Sequence, residues 1–373
     1  MKIVHYTSAH PWFATRIFSK MCVHLGKLDH EILLVAVDPE ASELHVFEQD
    51  GVEVHLLPGG GRNSRFQRVT YLARQVTRYA QGLDPDILHF HDPELIPYTV
   101  FDLKAGVPLV FDAHEDFVGQ MDGKSWAKGP KRALLKVGLR VMQKLINCRA
   151  THIIAATEGV RESYNLNKSS VIRNLPILTE FTNLSRKPLI ERPREICYIG
   201  ALSRVRGIAE LVSALEKSEQ VECLHLAGRF SSEDFRREVE LLPGWSKVNY
   251  LGFINRDEIE ELLGRVRVGV VTLHPTPNHL HSIPIKLLEY LCAGVPALAS
   301  NFPYWKEFVK NGETGLFVDP MDSLAIAGSL DGMLKDSGAT HYEYYMSEDI
   351  RDRFSWEKEV LLLDEVYQFC MKT

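Results

Sequence analysis

Short apolar runs alternate with longer stretches of helical periodicity along most of this chain. That alternation predicts an α/β fold in which helices cover both faces of mostly parallel sheets. In the first half, strands are expected at 2–6, 31–37, 52–57, 86–90, 109–112, 152–156 and 170–173, and helices near 15–27, 66–81, 94–104, 130–149 and 158–164. Between 174 and 195 the periodicity lapses into a segment rich in Pro, Thr, Ser and Asn, which reads as an interdomain connection. Alternation resumes with strands at 196–200, 224–227, 248–253, 268–273 and 297–300, and an amphipathic helix is expected from about 356 to 370.

At 373 residues the chain is too long for one ordinary core. Two domains are expected, at 1–174 and 195–355, joined by 175–194. The 45% hydrophobic and 25% charged residues are those of a globular protein, and the net charge of −6 argues against general nucleic-acid binding. No apolar run reaches the length of a membrane span, and the first residues read as a strand without signal-peptide architecture. Cys22, Cys148, Cys197, Cys223, Cys292 and Cys370 are scattered, with no Cys-x-x-Cys pair. That spacing points to a reducing cytoplasm, with neither a disulfide frame nor a zinc site.

Charge alters the picture at one place. The stretch 124–149 holds Lys124, Lys128, Lys131, Arg132, Lys136, Arg140, Lys144 and Arg149, and no acid. With a broad apolar side including Leu134, Val137 and Val141, it is a basic amphipathic helix in an acidic protein, hence a candidate for an anionic membrane surface. An ordinary sheet-covering helix with a solvated basic face is the alternative.

The most informative chemistry lies at 281–296. Ser282 is a candidate N-cap, Pro284 suits a first turn, and Ala293-Gly294 followed by Pro296 ends the helix. Ile285, Leu288 and Cys292 recur at helical spacing, so the helix is largely buried, yet it carries Lys286 and Glu289 three residues apart. An internal ion pair would account for them. So would a ligand, since a helix start attracts a diphosphate and a carboxylate further in can accept from two ribose hydroxyls.

This stretch resembles the nucleotide-sugar signature of retaining glycosyltransferases of family 4, and most closely the form common in bacterial surface-polysaccharide synthesis, Ser-x-Pro-x-Lys-x-x-Glu-Tyr. Glu289 matches the second Glu of the family pattern, while the first falls at His281. The resemblance implies the GT-B fold: two facing Rossmann-like doubly wound domains, with a C-terminal helix over 356–373 crossing back to the first. It implies Glu289 on the ribose, Ser282 and Lys286 on the donor diphosphate, and His281, Ile283 and Pro284 near the sugar. The loop Gly200-Ala201-Leu202-Ser203-Arg204-Val205-Arg206-Gly207 lies between a strand and a helix start, an anion-binding arrangement. There Arg206 matches the family's Lys, Ala201 replaces its Arg, and Arg204 is expected to supply the missing charge. Gly252 and Phe253 lie in the segment that meets the base.

In the first domain the loop from Ser8 to Arg16 has no glycine, so a dinucleotide fingerprint is absent. Its His-Pro-aromatic-x-x-x-Arg pattern is similar to the same branch, which puts Arg16 near the diphosphate. His89 and His91 lie at the end of the fourth expected strand, and only one of them is taken to face the ligand side. His91 resembles the family's active-site histidine. His114, in Asp112-Ala113-His114-Glu115-Asp116, resembles residues of the acceptor side.

The expected activity is therefore metal-independent, retaining transfer of a sugar from a nucleotide-sugar donor, with UDP the default, to a glycan or lipid-linked acceptor. The protein is expected in the cytoplasm or at the inner membrane face, with no cofactor. No carboxylate nucleophile stands out, which favours front-face attack. The rivals are a GT-B sugar-nucleotide epimerase or hydrolase using the same nucleotide site, and a non-catalytic binder, suggested by His281 and Ala201.

Overall fold

The computed structural model describes residues 1–61, 65–102, 106–119, 121, 129–181, 184, 187–280, 282, 284–346 and 350–372. It divides into two compact units, Met1–Asn174 with Trp356–Thr373, and Leu175–Ser355.

The first unit is built on an eight-stranded sheet of β1 (Lys2–Tyr6), β2 (Glu31–Asp38), β3 (His45–Gln49), β4 (Val52–Pro58), β5 (Ile87–Phe90), β6 (Leu109–Ala113), β7 (His152–Ala155) and β8 (Ser169–Val171), in the order β3-β4-β2-β1-β5-β6-β7-β8. Every pairing is parallel except β3 with β4. The edge strand β3 is not anticipated by the apolar pattern, because its residues are mostly exposed. The signal for it was Asp50-Gly51, whose φ values of 51° and 76° form the tight hairpin turn into β4. The strand order reverses between β1 and β5, and in such sheets ligands bind beyond the strand carboxyl ends at that reversal.

Val4, Tyr6, Leu88 and Phe90 on one face of β1 and β5 join the main core of this unit. The opposite face carries His5 and His89, which are register partners. Against that face lies the C-terminal helix (Trp356–Cys370), whose fully buried Trp356 donates its indole N–H to the Lys20 carbonyl at 2.9 Å. Glu359 reinforces the attachment by accepting from the Arg173 backbone N–H at 2.7 Å and from its guanidinium at 2.9 and 2.6 Å. Helix α1 (Gly129–Arg149) buries only Ile146 fully, while Leu134, Val137 and Val141 are 74%, 55% and 52% exposed. Its apolar side is thus not consumed by the core. Lys124 and Lys128 lie outside the described residues.

The second unit holds a fully parallel six-stranded sheet of β9 (Glu195–Ile199), β10 (Cys223–Ala227), β11 (Val248–Gly252), β12 (Val268–Val271), β13 (Ala297–Ser300) and β14 (Gly315–Val318), ordered β11-β10-β9-β12-β13-β14. This is the doubly wound order with its reversal between β9 and β12. Its relevant helices are α2 (Ile208–Lys217), α3 (Glu233–Glu240), α4 (Arg256–Arg265) and α5 (Ile285–Cys292).

The expected linker over 175–194 is instead packed on this second unit. Leu175, Phe181 and Leu189 are buried in its cores. Arg192 donates to the Leu263 and Val266 carbonyls at 3.3 and 2.8 Å, and Arg267 donates to the Ile190 carbonyl at 2.7 Å. Proline-rich composition marked irregular backbone here, and buried arginines satisfying its carbonyls hold it down.

Candidate active site

In the second unit the carboxyl end of β9 runs into the loop before α2. Arg206 reaches the Tyr198 phenol, which burial pushes up to about 12 while the guanidinium pulls it down. His279 sits in the same neighbourhood; burial lowers its pKa, its bond to the His274 carbonyl raises it, and Arg206 lowers it further. Gly207, at φ 70°, lets this loop press against the β12 exit: a Cβ there would stand 1.9 Å from the Thr272 carbonyl oxygen. Glycine is needed both for the left-handed backbone and for the close approach.

Arg204, expected to supply the missing cation, is engaged by another side chain here. It pairs with Glu238 on α3 and stacks over the Phe235 ring at 5.2 Å. An exposed guanidinium beside a helix rich in acids takes the nearest carboxylate.

Helix α5 begins at Ile285 with Pro284 as its N-cap, and no side chain caps it. The expectation for Ser282 is therefore corrected: its hydroxyl donates to the His279 carbonyl at 3.5 Å, and its own carbonyl accepts the Trp305 indole N–H at 3.0 Å. Pro284, at φ −78° and ψ 98°, is itself extended and takes the N-cap place expected of Ser282. His281 and Ile283 lie outside the described residues.

Glu289 is 3% exposed. It accepts from Lys286 Nζ at 2.6 Å and from Arg256 Nη1 at 3.1 Å, and Arg256 also pairs with Glu180. The internal ion pair considered for Lys286 and Glu289 is thus present. Arg256 is the functional candidate that the sequence reading missed. It starts a helix full of charges and meets Glu289 across 33 residues of chain, so no local spacing reveals it. Phe253 is exposed beyond β11, with the Arg229 guanidinium 5.2 Å from its ring, and Gly252 has φ 68°.

In the first unit the ends of β1, β5 and β6 gather a polar cluster. Asp92 Oδ2 accepts from Thr7 Oγ1 at 2.7 Å and from the Ser8 and Ala9 N–H groups at 2.6 and 3.1 Å, and its Oδ1 lies 3.4 Å from His10 Nε2. Asp112 is the second centre. Burial alone would raise its pKa, but Arg16 and His91 together hold it well below the usual carboxylate range. Arg16 grips it bidentately, Nε to Oδ2 at 3.0 Å and Nη2 to Oδ1 at 2.7 Å. Arg16 is thus engaged with a carboxylate of its own unit, while its Nη1 is buried without a partner.

His91 is also placed differently from expectation. It is fully buried, with Nδ1 3.1 Å from Asp112 Oδ2 and Nε2 3.1 Å from His5 Nδ1. Residues two apart share a strand face, so His89 and His91 lie together, ring centroids 4.6 Å apart, rather than on opposite sides. The imidazoles that reach solvent are those of His114, 22% exposed with Nδ1 3.7 Å from Asp112 Oδ2, and of His10, whose ring meets it edge-on at 5.3 Å. His10 opens the His-Pro-aromatic-x-x-x-Arg pattern, in which nothing local marks it rather than Arg16 as the site residue. As for metals, His5, His89 and His91 are the group of described residues whose ligand atoms come within 4.8 Å of one another.

The second unit thus gathers cations at its strand ends, and the first unit gathers imidazoles at its own. Residues 180–352 match the family described as glycosyl transferases group 1, and residues 14–168 match the glycosyl transferase 4-like domain. The chain belongs to the family 4 glycosyltransferases. Glycogen synthase of Mycobacterium tuberculosis is 25% identical over 300 residues, which is 76% of this chain and 68% of that protein. Phosphatidyl-myo-inositol mannosyltransferase of Mycolicibacterium smegmatis is 24% identical over 352 residues, 91% of this chain and 85% of the relative. The structure of Anabaena HepE in complex with UDP-glucose superposes with a TM-score of 0.73 at 18% identity, covering 99% of both chains. This likeness establishes the GT-B type of fold, two Rossmann-like parallel-sheet domains. In this glycosyltransferase the pattern of Lys286 and Glu289 therefore carries a functional reading alongside the structural one.

Proposed function

We propose that the protein is a retaining glycosyltransferase taking a nucleoside diphosphate sugar, UDP-sugar by preference, at the β9–β12 end of its second unit. The observation that carries this reading is Glu289, a buried carboxylate held in place by Lys286 and Arg256 at the family's ribose position. Arg206, Lys286 and the start of α5 would bind the diphosphate. The solved complex of Anabaena HepE with UDP-glucose is what supports a uridine donor.

In the reaction the acceptor oxygen attacks the anomeric carbon on the face from which the diphosphate departs. The bond from that carbon to the phosphate oxygen breaks, its electron pair stays on the phosphate, and that oxygen takes the acceptor's proton. Negative charge accumulates on the leaving group, and each positioned cation lowers the barrier by about 2.7–4 kcal/mol, by analogy with oxyanion-hole donors. The first-unit carboxylates support the front-face route. Asp92 and Asp112 are occupied by donors from their own unit, so neither is poised as a nucleophile. The chemistry needs no bound metal, since Lys and Arg balance the leaving group. His114 and His10 would contact the acceptor.

The acceptor we favour is lipid-linked and met at an anionic membrane surface. No helix among the described residues is long and apolar enough to cross a membrane. Instead α1 exposes Leu134, Val137 and Val141 along one line, next to exposed Arg140 and Lys144. Each basic residue near an anionic leaflet adds about 1 kcal/mol.

A thermal-shift screen with UDP, GDP, ADP and UDP-sugars tests the donor class, since a bound ligand raises the melting point by mass action. A shift with one nucleoside diphosphate is expected. No shift with any of them in folded protein overturns the reading in favour of a non-catalytic protein. Release of labelled sugar to water in place of an acceptor would favour the hydrolase alternative.

A further inference from the structure

Behind Asp112 the first unit contains an unbroken line of buried polar groups that the proposed reaction does not use. His91 Nδ1 stands 3.1 Å from Asp112 Oδ2, and His91 Nε2 stands 3.1 Å from His5 Nδ1. His5 Nε2 then lies 3.4 Å from the Tyr367 hydroxyl, which lies 2.5 Å from His89 Nδ1. His5, His89, His91 and Tyr367 are all 0% exposed. The far nitrogen, His89 Nε2, is buried and has no partner.

We propose that the Asp112 carboxylate sets every proton position along a buried relay, Asp112–His91–His5–Tyr367–His89, making His91, His5 and Tyr367 positioning residues for the Asp112–His114 pair. The argument is one of donor and acceptor counting. An ionised carboxylate only accepts, and a neutral imidazole has one donor and one acceptor. His91 must therefore carry its proton on Nδ1, which leaves Nε2 to accept from His5 Nδ1. His5 Nε2 is then bare and accepts the Tyr367 hydroxyl, whose oxygen accepts from His89 Nδ1. The last nitrogen is left as a lone pair, matching the one unpartnered atom of the line. The opposite polarity would bury an orphaned N–H at His89 Nε2 and set a lone pair of His91 against the carboxylate.

Burial keeps the imidazoles neutral, as the counting requires. It lowers the pKa of His5 and His89 well below the ordinary value and lowers that of His91 despite the nearby Asp112. Burial likewise keeps the Tyr367 phenol protonated. The consequence for the site is orientation. His91 and Arg16 clamp Asp112 from within, so its Oδ2 stays 3.7 Å from His114 Nδ1, within ion-pair range without a hydrogen bond. Second-row partners commonly fix a functional histidine in this way. The role assigned to His114 rests on the proposed glycosyl transfer; the proton arrangement does not.

The test is a two-bond proton–nitrogen correlation spectrum of the full chain, labelled with ¹⁵N at histidine and purified without chelator, at neutral pH and without substrate. His91, His5 and His89 are each expected as a single neutral tautomer protonated at Nδ1. A proton on Nε2 of His91 or His5 overturns the relay, as does a stoichiometric divalent metal bound by the three rings, whose ligand atoms lie close enough together to hold one. Two variants then test direction. In Tyr367→Phe, His89 should lose its single tautomer while His91 and His5 keep theirs. In Asp112→Asn, whose amide can also donate, His5 and His89 should become mixtures although neither touches residue 112. Unchanged spectra in Asp112→Asn, or scrambling of His91 in folded Tyr367→Phe, would show that the carboxylate does not set the polarity. These outcomes are independent of whether the protein transfers sugar.

Discussion

Glu289→Gln is the sharpest perturbation of the donor site, because it keeps the shape of a 3% exposed side chain and removes only its charge. Glu289 Oε2 receives Lys286 at 2.6 Å and Oε1 receives Arg256 at 3.1 Å, so both oxygens are held without ligand. If a ribose hydroxyl donates to this carboxylate, each such charge-assisted bond is worth about 1.5–3 kcal/mol. One such bond corresponds to a loss of roughly 10- to 140-fold in affinity. The amide also presents its NH₂ toward one of the two cations, loosening Lys286, so the observed loss should lie at the upper end. Arg256 retains Glu180, and Lys286 is 29% exposed and can turn to water, so the fold should survive. The assay is calorimetric titration of wild type and variant with whichever nucleoside diphosphate stabilises the wild type. Affinity unchanged within twofold, with the melting point of the free protein lowered, would refute the reasoning. The Lys286–Glu289–Arg256 cluster would then be a purely internal brace.

Four further expectations follow from the geometry. Asp112→Asn leaves the 11% exposed Arg16 without its anion and should cost about 3–5 kcal/mol, read from urea midpoints at neutral pH. Stability should also fall on acidification in two stages. His5, His89 and His91 have folded pKa values below their unfolded ones, so their contribution is complete above about pH 6.5 and declines below it, by at most about 1.4 kcal/mol per pH unit for each ring. Asp112, also depressed, adds a loss only as pH falls below about 4; a midpoint that rises between pH 7 and 5 contradicts the histidine assignment, and one that rises below pH 4 contradicts that of Asp112. Gly207→Ala should abolish nucleotide binding and lower the melting point far more than Gly312→Ala, because both sites have positive φ but only the first would drive a Cβ into backbone. Replacing Leu134, Val137 and Val141 by Ser should release the protein from phosphatidylglycerol vesicles in a flotation assay, and a wild type that never binds them removes the membrane role.

How much of this was legible in the sequence depends on the range of the interaction concerned. Strands and covering helices follow from local periodicity, and nearly all of them stand where the apolar pattern predicts. The exposed strand His45–Gln49 escaped because hydrophobicity is no guide to an edge, although Asp50-Gly51 announced its hairpin. The donor motif was legible as a motif, since Lys286 and Glu289 are three residues apart, but Arg256 reaches them across 33 residues and nothing in its own helix points there. Arg204 shows the converse. A cation at the right spacing was drawn to Glu238, 34 residues on, because an exposed side chain chooses among all the carboxylates within reach.

The histidines show why residue type at a strand end is not enough. His91 and His114 occupy equivalent places after consecutive strands, and the sequence offers no reason to separate them. The separation comes from His5, on the strand beside His91, 86 residues earlier in the chain. By taking Nε2 of His91 it turns that ring into a support for Asp112 and leaves His114 as the imidazole that reaches solvent. The same logic predicts the order of damage. His114→Ala should lower turnover with little effect on stability, whereas His91→Ala should lower both, since it removes one of the donors that hold a buried carboxylate. If the two variants lose activity equally and melt alike, His91 and His114 act as one unit, and the division between support and contact fails.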